Sequence, residues 1–398
     1  MGEQIPISCV VMRGGTSKGI FLRASDLPPE PAARDRMILA LFGSPDPRQI
    51  DGLGGADILT SKVAIVGAAT RPDADIDYTF GQVSITEPVV DYDINCGNLS
   101  AAVGLYAVEE GLVSATEPLT TIRVHNTNTG KVFVASVPTR GSEPVIEGGC
   151  AIDGVPGTGA EILLDFAGTA GAATGLLLPT GRVRDTLDVP ILGGAVEVTI
   201  VDLANLCVFF RAGAVGMTGA EGPREVTSQM LDAMSAVKSA AAARLGIPAD
   251  GLVPLPVAVA APATYPTYLG TTVQAASVGL VARLAGGRPP MLHKTFPGTA
   301  AACTAVAACL PGSVPWQVAR PQEGGRLTIG HPGGVMTVLA EVREEGGVIR
   351  VERAAYPRTA RRLLEGRAFV RTARLQPAGE AALNRARVGS TPGVSEGR

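Results

Sequence analysis

The chain has 398 residues and a net charge of −3, and 46% of its residues are hydrophobic while only 4% are aromatic. This composition excludes an extended disordered chain and argues against a basic, aromatic-rich surface for nucleic acid. One hydrophobic core seldom exceeds about 300 residues, so we expect two domains with a cleft between them.

The first residues lack the basic segment of an export signal, and no uninterrupted apolar stretch has the length of a membrane helix. Six cysteines lie far apart without a Cys-x-x-Cys pair, and the three histidines lack metal-ligand spacing. We therefore predict a cytoplasmic protein with reduced thiols and no metal, membrane or nucleic-acid partner. A homo-oligomer is left open.

The first half of the chain is predicted to hold a β-hairpin, two helices and further strands. Residues 5–12 and 20–22 have strand composition on either side of the glycine-rich turn GGTSKG. Residues 31–41 and 98–110 have helical spacing of small and apolar residues. Residues 121–137 predict a second hairpin around the turn NTNTG.

The second half repeats this order of features. Residues 195–210 again read as strand, short polar turn and strand, and residues 298–310 again form a small-residue helix that begins at a glycine. Residues 225–245 predict a long additional helix. The recurrence predicts a diverged internal duplication. We place an N-terminal domain, a C-terminal domain and a flexible tail at residues 1–186, 187–375 and 376–398.

The first candidate for chemistry is the segment DINCGNL, residues 93–99, immediately before a predicted helix. It places Cys96 at a helix N-terminus, where unpaired N–H groups favour a thiolate and bind carboxylates. Asn95, Gly97 and Asn98 would line this end of the helix. A buried structural cysteine is the competing interpretation, and these residues alone support both about equally.

The segment MRGGTSKG, residues 12–19, exposes backbone N–H groups beside hydroxyls and a cation, which is typical of an anion-binding turn. It lacks the residue order of a nucleotide-binding P-loop, and an ordinary surface hairpin is the alternative. The candidate ligands in this turn are Gly14, Gly15, Thr16, Ser17 and Lys18.

Two further candidates lie next to other glycine-containing turns. Lys62 begins a predicted strand after the loop DGLGGAD, although an isolated lysine is usually a solvated surface residue. The segment HKTFPGT precedes the second small-residue helix, and there Lys294, Gly298 and Thr299 are candidates for binding a carboxylate. His293 is the other candidate, but a histidine among apolar residues is more often structural.

Segments spread over nearly the whole chain up to about residue 370 resemble one family, the PrpF-like proteins. This family includes 3-methylitaconate isomerase, 2-methylaconitate isomerase and 4-oxalomesaconate tautomerase. The segments are MRGGTSKGIFL, GSPDPRQIDGLGGAD, TSKVAIV, YTFGQVSI, NCGNLSAAVG, HNTNTGK, DGVPGTG, AGAATG, LLPTG, HKTFPGTA, IGHPGG and RTARRLLEG.

The resemblance implies an α/β (α+β) fold like that of diaminopimelate epimerase, in which two similar domains each wrap a sheet around a central helix. It also implies catalysis without a cofactor. Cys96 and Lys62 match the catalytic pair of the family, and Ser17 matches a serine proposed for catalysis in some members. Epimerases of this fold carry a second cysteine, where this chain has Pro297-Gly298-Thr299, so a symmetric two-thiol racemase is disfavoured.

The function implied by the resemblance is the shift of a proton and a double bond in a small unsaturated di- or tricarboxylate. HNTNTGK, DGVPGTG, AGAATG and HKT are most similar to the 3-methylitaconate isomerases, which favours conversion of 3-methylitaconate to 2,3-dimethylmaleate. A 2-methylaconitate cis-trans isomerase and a 4-oxalomesaconate tautomerase are the alternatives among enzymes. A non-catalytic accessory or binding protein is the alternative from another class.

Overall fold

The computed structural model describes residues 2–93, 96–287 and 290–376, in which strands predominate over helices. The helices are α1 (Pro31–Phe42), α2 (Gly97–Glu109), α3 (Ser228–Leu245), α4 (Gly298–Ala308) and α5 (Val314–Val318). The strands up to residue 165 are β1 (Gln4–Gly14), β2 (Ser17–Arg23), β3 (Lys62–Ala68), β4 (Ile76–Val83), β5 (Val90–Asp91), β6 (Leu119–Asn126), β7 (Lys131–Arg140), β8 (Glu143–Pro144) and β9 (Ile162–Asp165). The later strands are β10 (Asp185–Val189), β11 (Gly194–Leu203), β12 (Asn205–Arg211), β13 (Leu255–Ala260), β14 (Tyr265–Pro266), β15 (Thr272–Val273), β16 (Leu280–Gly286), β17 (Met291–Leu292), β18 (Arg326–His331), β19 (Gly334–Glu345), β20 (Val348–Arg358) and β21 (Ala360–Arg371).

The order of strand pairing in the first half recurs in the second half. β1 is antiparallel to β2, β2 is parallel to β3, β3 is antiparallel to β4, β4 is parallel to β6, and β6 is antiparallel to β7. The strands β11, β12, β13, β16, β18 and β19 repeat the same alternation. The two halves therefore have one topology, as the repeated sequence pattern predicts.

Each half surrounds one helix that is buried along almost its full length. Every residue of α2 up to Val108, and every residue of α4 up to Ala307, is buried. Both helices carry mostly small and apolar side chains on all sides, which is what a helix enclosed by a sheet requires. The predicted helices at residues 98–110 and 298–310 are confirmed, with ends that differ by one or two residues.

The last two long strands return to the first half. β20 is antiparallel both to β19 and to β9, and β21 is antiparallel to β1 along its length. Backbone hydrogen bonds therefore join the two halves directly. The division at residues 186 and 187 stays a prediction, and the predicted tail lies, from residue 377 onward, outside the described residues.

The other predicted elements differ from the structure mainly at their ends. The hairpin over residues 121–137 is confirmed as β6 and β7. The long helix begins at Ser228 instead of residue 225 because the Thr227 side chain accepts a hydrogen bond from Met230 N and caps it. Within the described ranges, none of the helices has the length and apolar character needed to cross a bilayer.

We predict that Gly298→Ala destabilises the protein by about 1–3 kcal/mol, because an added methyl group would overlap the Tyr356 ring. A Cβ atom at residue 298 would lie 2.5 Å from three ring and hydroxyl atoms of Tyr356. Helix propensity alone favours alanine by about 1 kcal/mol, so a loss of stability identifies the overlap. Urea unfolding measures the change.

The matched control is Gly366→Ala, because a Cβ atom at that position of β21 would meet no atom within 4 Å. We expect its free energy of unfolding to stay within about 0.5 kcal/mol of the wild-type value. Equal stabilities for the two variants would contradict the close approach of α4 to Tyr356.

Candidate active site

The N-termini of α2 and α4 meet at the side chain of Tyr356. A Cβ atom on Gly97 would collide with the Tyr356 hydroxyl and would lie 3.0 Å from the backbone nitrogen of Thr299. A Cβ atom on Gly298 would collide with the same ring. Helix N-termini carry unpaired N–H groups and partial positive charge, so this helix junction, formed by Gly97, Gly298, Thr299 and Tyr356, favours an anion.

Cys96 caps the α2 side of the helix junction. Its backbone is extended, with φ −113° and ψ 96°, and its carbonyl accepts hydrogen bonds from both N and Oγ of Ser100. Its side chain is partly buried against the core. The residue that caps α4 is Pro297, so of the two cap residues only that of α2 carries a thiol. Asn95, the other predicted ligand here, lies outside the described residues.

The β1–β2 turn packs directly onto the first turn of α2. A Cβ atom on Gly14 would lie 2.5 Å from the Asn98 carbonyl oxygen, and Asn98 Nδ2 donates a hydrogen bond to Thr16 Oγ1 over 3.0 Å. Gly15 occupies the left-handed region at φ +51°. Ser17 is 2% exposed, and its hydroxyl has no hydrogen-bond partner among the described residues. The structure thus brings Gly14, Gly15 and Thr16 against α2, while Ser17 is buried beside them and Lys18 is only half-buried.

The second half contains a matching contact that the sequence analysis missed. Asn205 lies at the start of β12, and its Nδ2 donates a hydrogen bond to Thr299 Oγ1 over 2.7 Å. Asn98 and Thr299 are both the second residue of a central helix. The helix residue donates the hydrogen bond in the first half and accepts it in the second half. Aligning the repeat over residues 195–210 with the first hairpin would have identified Asn205.

Lys62 is the first residue of β3 and is only 7% exposed, so it is not a solvated surface lysine. Its Nζ donates a hydrogen bond to Gln82 Oε1 over 2.7 Å and lies 5.1 Å from the centre of the Phe80 ring. Both partners are neutral. Gly19 packs against the Lys62 carbonyl oxygen and the Leu99 side chain, which places the start of β3 beside the first turn of α2.

The segment before α4 approaches Lys62 through His293 instead of Lys294. Burial, with a smaller contribution from the charge of the nearby Lys62 ammonium, lowers the pKa of His293 to about 4. Thr295 N donates a hydrogen bond to His293 Nδ1 over 3.2 Å. The side chain of Lys294, which the sequence analysis selected, is exposed.

Arg358, at the end of β20, is a second residue that the sequence analysis missed. It is 4% exposed, its guanidinium lies 4.8 Å from the centre of the Tyr356 ring, and its Nε donates to Asn98 Oδ1 over 3.4 Å. A Cβ atom on Gly15 would lie 3.2 Å from Arg358 Cδ. The sequence feature that could have identified Arg358 is its place inside the apolar segment AAYPRTA.

Chemically, these elements supply groups for proton transfer and anion binding. A cysteine can donate a proton as the thiol or accept one as the thiolate, a lysine can donate as the ammonium or accept as the amine, and the two helix ends can hold a carboxylate as charge develops. In the part of the chain that the structure describes, no three His, Cys, Asp or Glu side chains are grouped to hold a metal ion.

We predict that the free energy of unfolding falls by about 2 kcal/mol for each of two histidines when the pH is lowered from 7 to 5. Burial lowers the pKa of His331 to about 3 and that of His293 to about 4. Below pH 6.5 the unfolded chain therefore binds protons that the folded chain does not bind, so stability is lost as the pH falls. Carboxyl groups titrate mainly below this range.

Urea unfolding at both pH values tests this, with His331→Gln as the matched variant. Because glutamine does not titrate, the variant should lose about half of the pH-dependent change. An unchanged difference between pH 7 and pH 5 in His331→Gln would contradict the prediction.

Known proteins resemble this chain along almost its whole length. The family model described as PrpF protein matches residues 4–371. The 3-methylitaconate isomerase of Eubacterium barkeri is 47% identical over 93% of this chain and 98% of its own length. The 4-oxalomesaconate tautomerase of Pseudomonas putida is 41% identical, and the 2-methyl-aconitate isomerase of Cupriavidus necator is 38% identical, each over 91% of this chain and 96% of its own length.

Solved structures show the same relationship. The crystal structure of a methylitaconate-delta-isomerase superposes with a TM-score of 0.81 and 46% identity, covering 95% of this chain and 98% of the other. A hydroxyproline epimerase from Agrobacterium vitis superposes with a TM-score of 0.56 at 13% identity, covering 95% of each chain, and so shares the fold alone. These likenesses confirm the predicted diaminopimelate-epimerase-like fold, and the chain belongs to the PrpF family.

Proposed function

We propose that this protein is a cofactor-independent isomerase that moves a proton and a double bond within a small unsaturated di- or tricarboxylate. The observation that carries the proposal is the helix junction, where a single thiol stands at one of two facing helix N-termini and a buried lysine with neutral partners lies nearby. The substrate that we propose is 3-methylitaconate, and the product is 2,3-dimethylmaleate.

In the proposed reaction, a base removes the proton from the carbon that carries the methyl group and a carboxylate. The electron pair moves into the adjacent C=C bond and gives a dienolate, and an acid then delivers a proton to the methylene carbon, which becomes a methyl group. One proton leaves and one is added, so the reaction needs no oxidant or reductant. The developing negative charge is stabilised by N–H groups at the helix junction.

We assign the two proton transfers to Cys96 and Lys62. Their chemical difference supports separate roles as base and acid, since the α4 side of the junction offers Pro297 and no thiol. Ser17 is proposed as a further donor to the dienolate, because its buried hydroxyl has no partner among the described residues. The residues proposed to bind the substrate are Gly14, Gly15, Thr16, Lys18, Asn95, Gly97, Asn98, Lys294, Gly298 and Thr299.

The choice of substrate is supported by the relative named 3-methylitaconate isomerase, which shares 47% of its residues with this chain. The second candidate is 4-oxalomesaconate tautomerisation, which the unpaired hydroxyl of Ser17 favours, since that reaction would depend more on a hydroxyl donor. 2-Methylaconitate isomerisation is a variant of the first reaction. A non-catalytic binding protein would leave Cys96 and Lys62 without a role.

We also propose a cytoplasmic location and two domains, residues 1–186 and 187–375, that form the cleft. All six cysteines are free thiols, which agrees with a reducing compartment. The proposed partner is the carboxylate substrate, without nucleic acid.

Proton NMR of the purified protein with 3-methylitaconate, 2-methylaconitate and 4-oxalomesaconate tests this function. We predict that 3-methylitaconate loses its vinyl resonances and gains a methyl resonance at the highest kcat/KM of the three. Cys96→Ala should lower kcat by at least about 10²-fold, which is typical for the loss of a general acid or base.

The matched control is Cys309→Ala, which removes an exposed thiol at the opposite end of α4 and should leave kcat unchanged. If the wild-type protein converts none of the three compounds, the proposed isomerase activity is refuted and a binding protein is favoured. More than about a tenth of wild-type kcat in Cys96→Ala would remove Cys96 from the mechanism.

A further inference from the structure

We propose that Arg358 forms a subsite for a second carboxylate of the ligand, in a cavity between the two halves. The cavity has a volume of about 170 Å³, and its lining includes Thr16, Asp153, Thr295, His331, Met336 and Arg358. A single water needs only about 10–15 Å³ of such space, so the cavity holds several waters or part of a small organic acid.

The buried charge of Arg358 has no opposite charge in hydrogen-bond contact among the described residues. In the described ranges its guanidinium hydrogen-bonds only neutral groups, which are Asn98 Oδ1 at 3.4 Å, Pro357 O at 3.0 Å and Met336 Sδ at 3.1 Å, and it lies over the neutral Tyr356 ring. A thioether is a weak acceptor, and a buried charge is costly unless an opposite charge pairs with it. Burial accordingly lowers the pKa of Arg358. A ligand carboxylate would supply the missing charge through a bidentate contact.

The carboxylate of Asp153, on the cavity wall, does not take this role. Asp153 Oδ2 accepts a hydrogen bond from Val335 N over 2.6 Å, and the residue itself is exposed. That contact ties the loop of residues 151–153 to the start of β19, so the loop closes one side of the cavity. The carboxylate of Asp153 therefore has a backbone donor from the other half, and no hydrogen bond joins it to Arg358 among the described residues.

The remaining walls suit one carboxylate on a short carbon chain. Burial and the charge of Arg358 lower the pKa of His331 to about 3, so His331 is neutral at pH 7. Its Nδ1 accepts a hydrogen bond from Gly333 N, which assigns the proton to Nε2 and makes that nitrogen a donor. Phe296 and Met336 add apolar surface. One fixed cation with neutral donors fits a carboxylate better than a phosphate, whose greater charge calls for more cations.

Arg358 also contacts the first turn of the helix that Cys96 caps. Asn98, two residues after Cys96, contacts both Arg358 Nε and Thr16 Oγ1, so one side chain separates the helix junction from the cavity. A ligand with one carboxylate at the junction would place a second carboxylate near Arg358. This reading of the ligand rests on the proposed function, and it predicts discrimination against monocarboxylates.

Calorimetric binding of 2,3-dimethylsuccinate and of its monomethyl ester tests the subsite, because neither probe has a C=C bond to isomerise. The wild-type protein should bind the dicarboxylate at least about tenfold more tightly than the ester, since charge-assisted hydrogen bonds are worth about 10- to 100-fold. Arg358→Gln should weaken dicarboxylate binding by that factor and remove the preference. Arg361→Gln, which changes an exposed arginine three residues away, should change neither affinity.

Thermal unfolding without ligand separates this role from a structural one. Arg358→Gln removes an uncompensated buried charge, so its Tm should not fall below that of the wild type. If this variant does not fold, Arg358→Lys keeps the charge but loses the bidentate geometry, and it should bind the dicarboxylate about tenfold more weakly and the ester unchanged.

The subsite would be overturned if folded Arg358→Gln kept the wild-type preference for the dicarboxylate. It would also be overturned if Arg358→Lys bound the dicarboxylate with unchanged affinity. Equal wild-type affinity for the two probes would also overturn it. Neither probe can be isomerised, so this binding test does not depend on turnover. The subsite would therefore stand even if no turnover were found, and isomerisation could stand if the subsite failed.

Discussion

The structure depends on the close approach of two helix N-termini, which is possible because Gly97 and Gly298 carry no side chains. Both glycines lie against Tyr356, at distances that no Cβ atom could tolerate. Tyr356 belongs to β20, the strand that pairs with both halves of the fold. The same strand therefore positions the helix junction and, two residues later, the buried guanidinium of Arg358. The packing of the two helix ends and the position of the buried guanidinium therefore both depend on β20.

The two halves share a topology but differ in the groups that they bring to the junction. The first half contributes Cys96 and the Thr16–Asn98 contact, with Lys62 at the start of β3 beside α2, whereas the second half contributes Pro297 and the Asn205–Thr299 contact. A symmetric site would suit a reaction whose substrate and product are mirror images. Two different proton-transferring groups, as proposed for Cys96 and Lys62, suit a reaction that removes a proton from one carbon and adds one to another.

Local sequence pattern predicted the central helices and the hairpins, because small-residue periodicity and turn glycines act over a few residues. It also placed Cys96 at a helix end. It could not find Arg358 or Asn205, because their partners Asn98 and Thr299 are 260 and 94 positions away and meet them only after the strands pair. For the same reason it chose Lys294 over its neighbour His293, since burial depends on what packs against each side chain.

The central claim is that two different groups handle the proton, and isotope transfer in D₂O tests it most directly. Conversion of 3-methylitaconate by the wild-type protein should be followed by NMR at initial rate. The account predicts one deuterium in the newly formed methyl group from the first turnover, because the delivering group exchanges with solvent while the other group holds the abstracted proton. Early product that retains the substrate's own proton in that methyl group would contradict the account, since it would require one shielded base to carry the proton across.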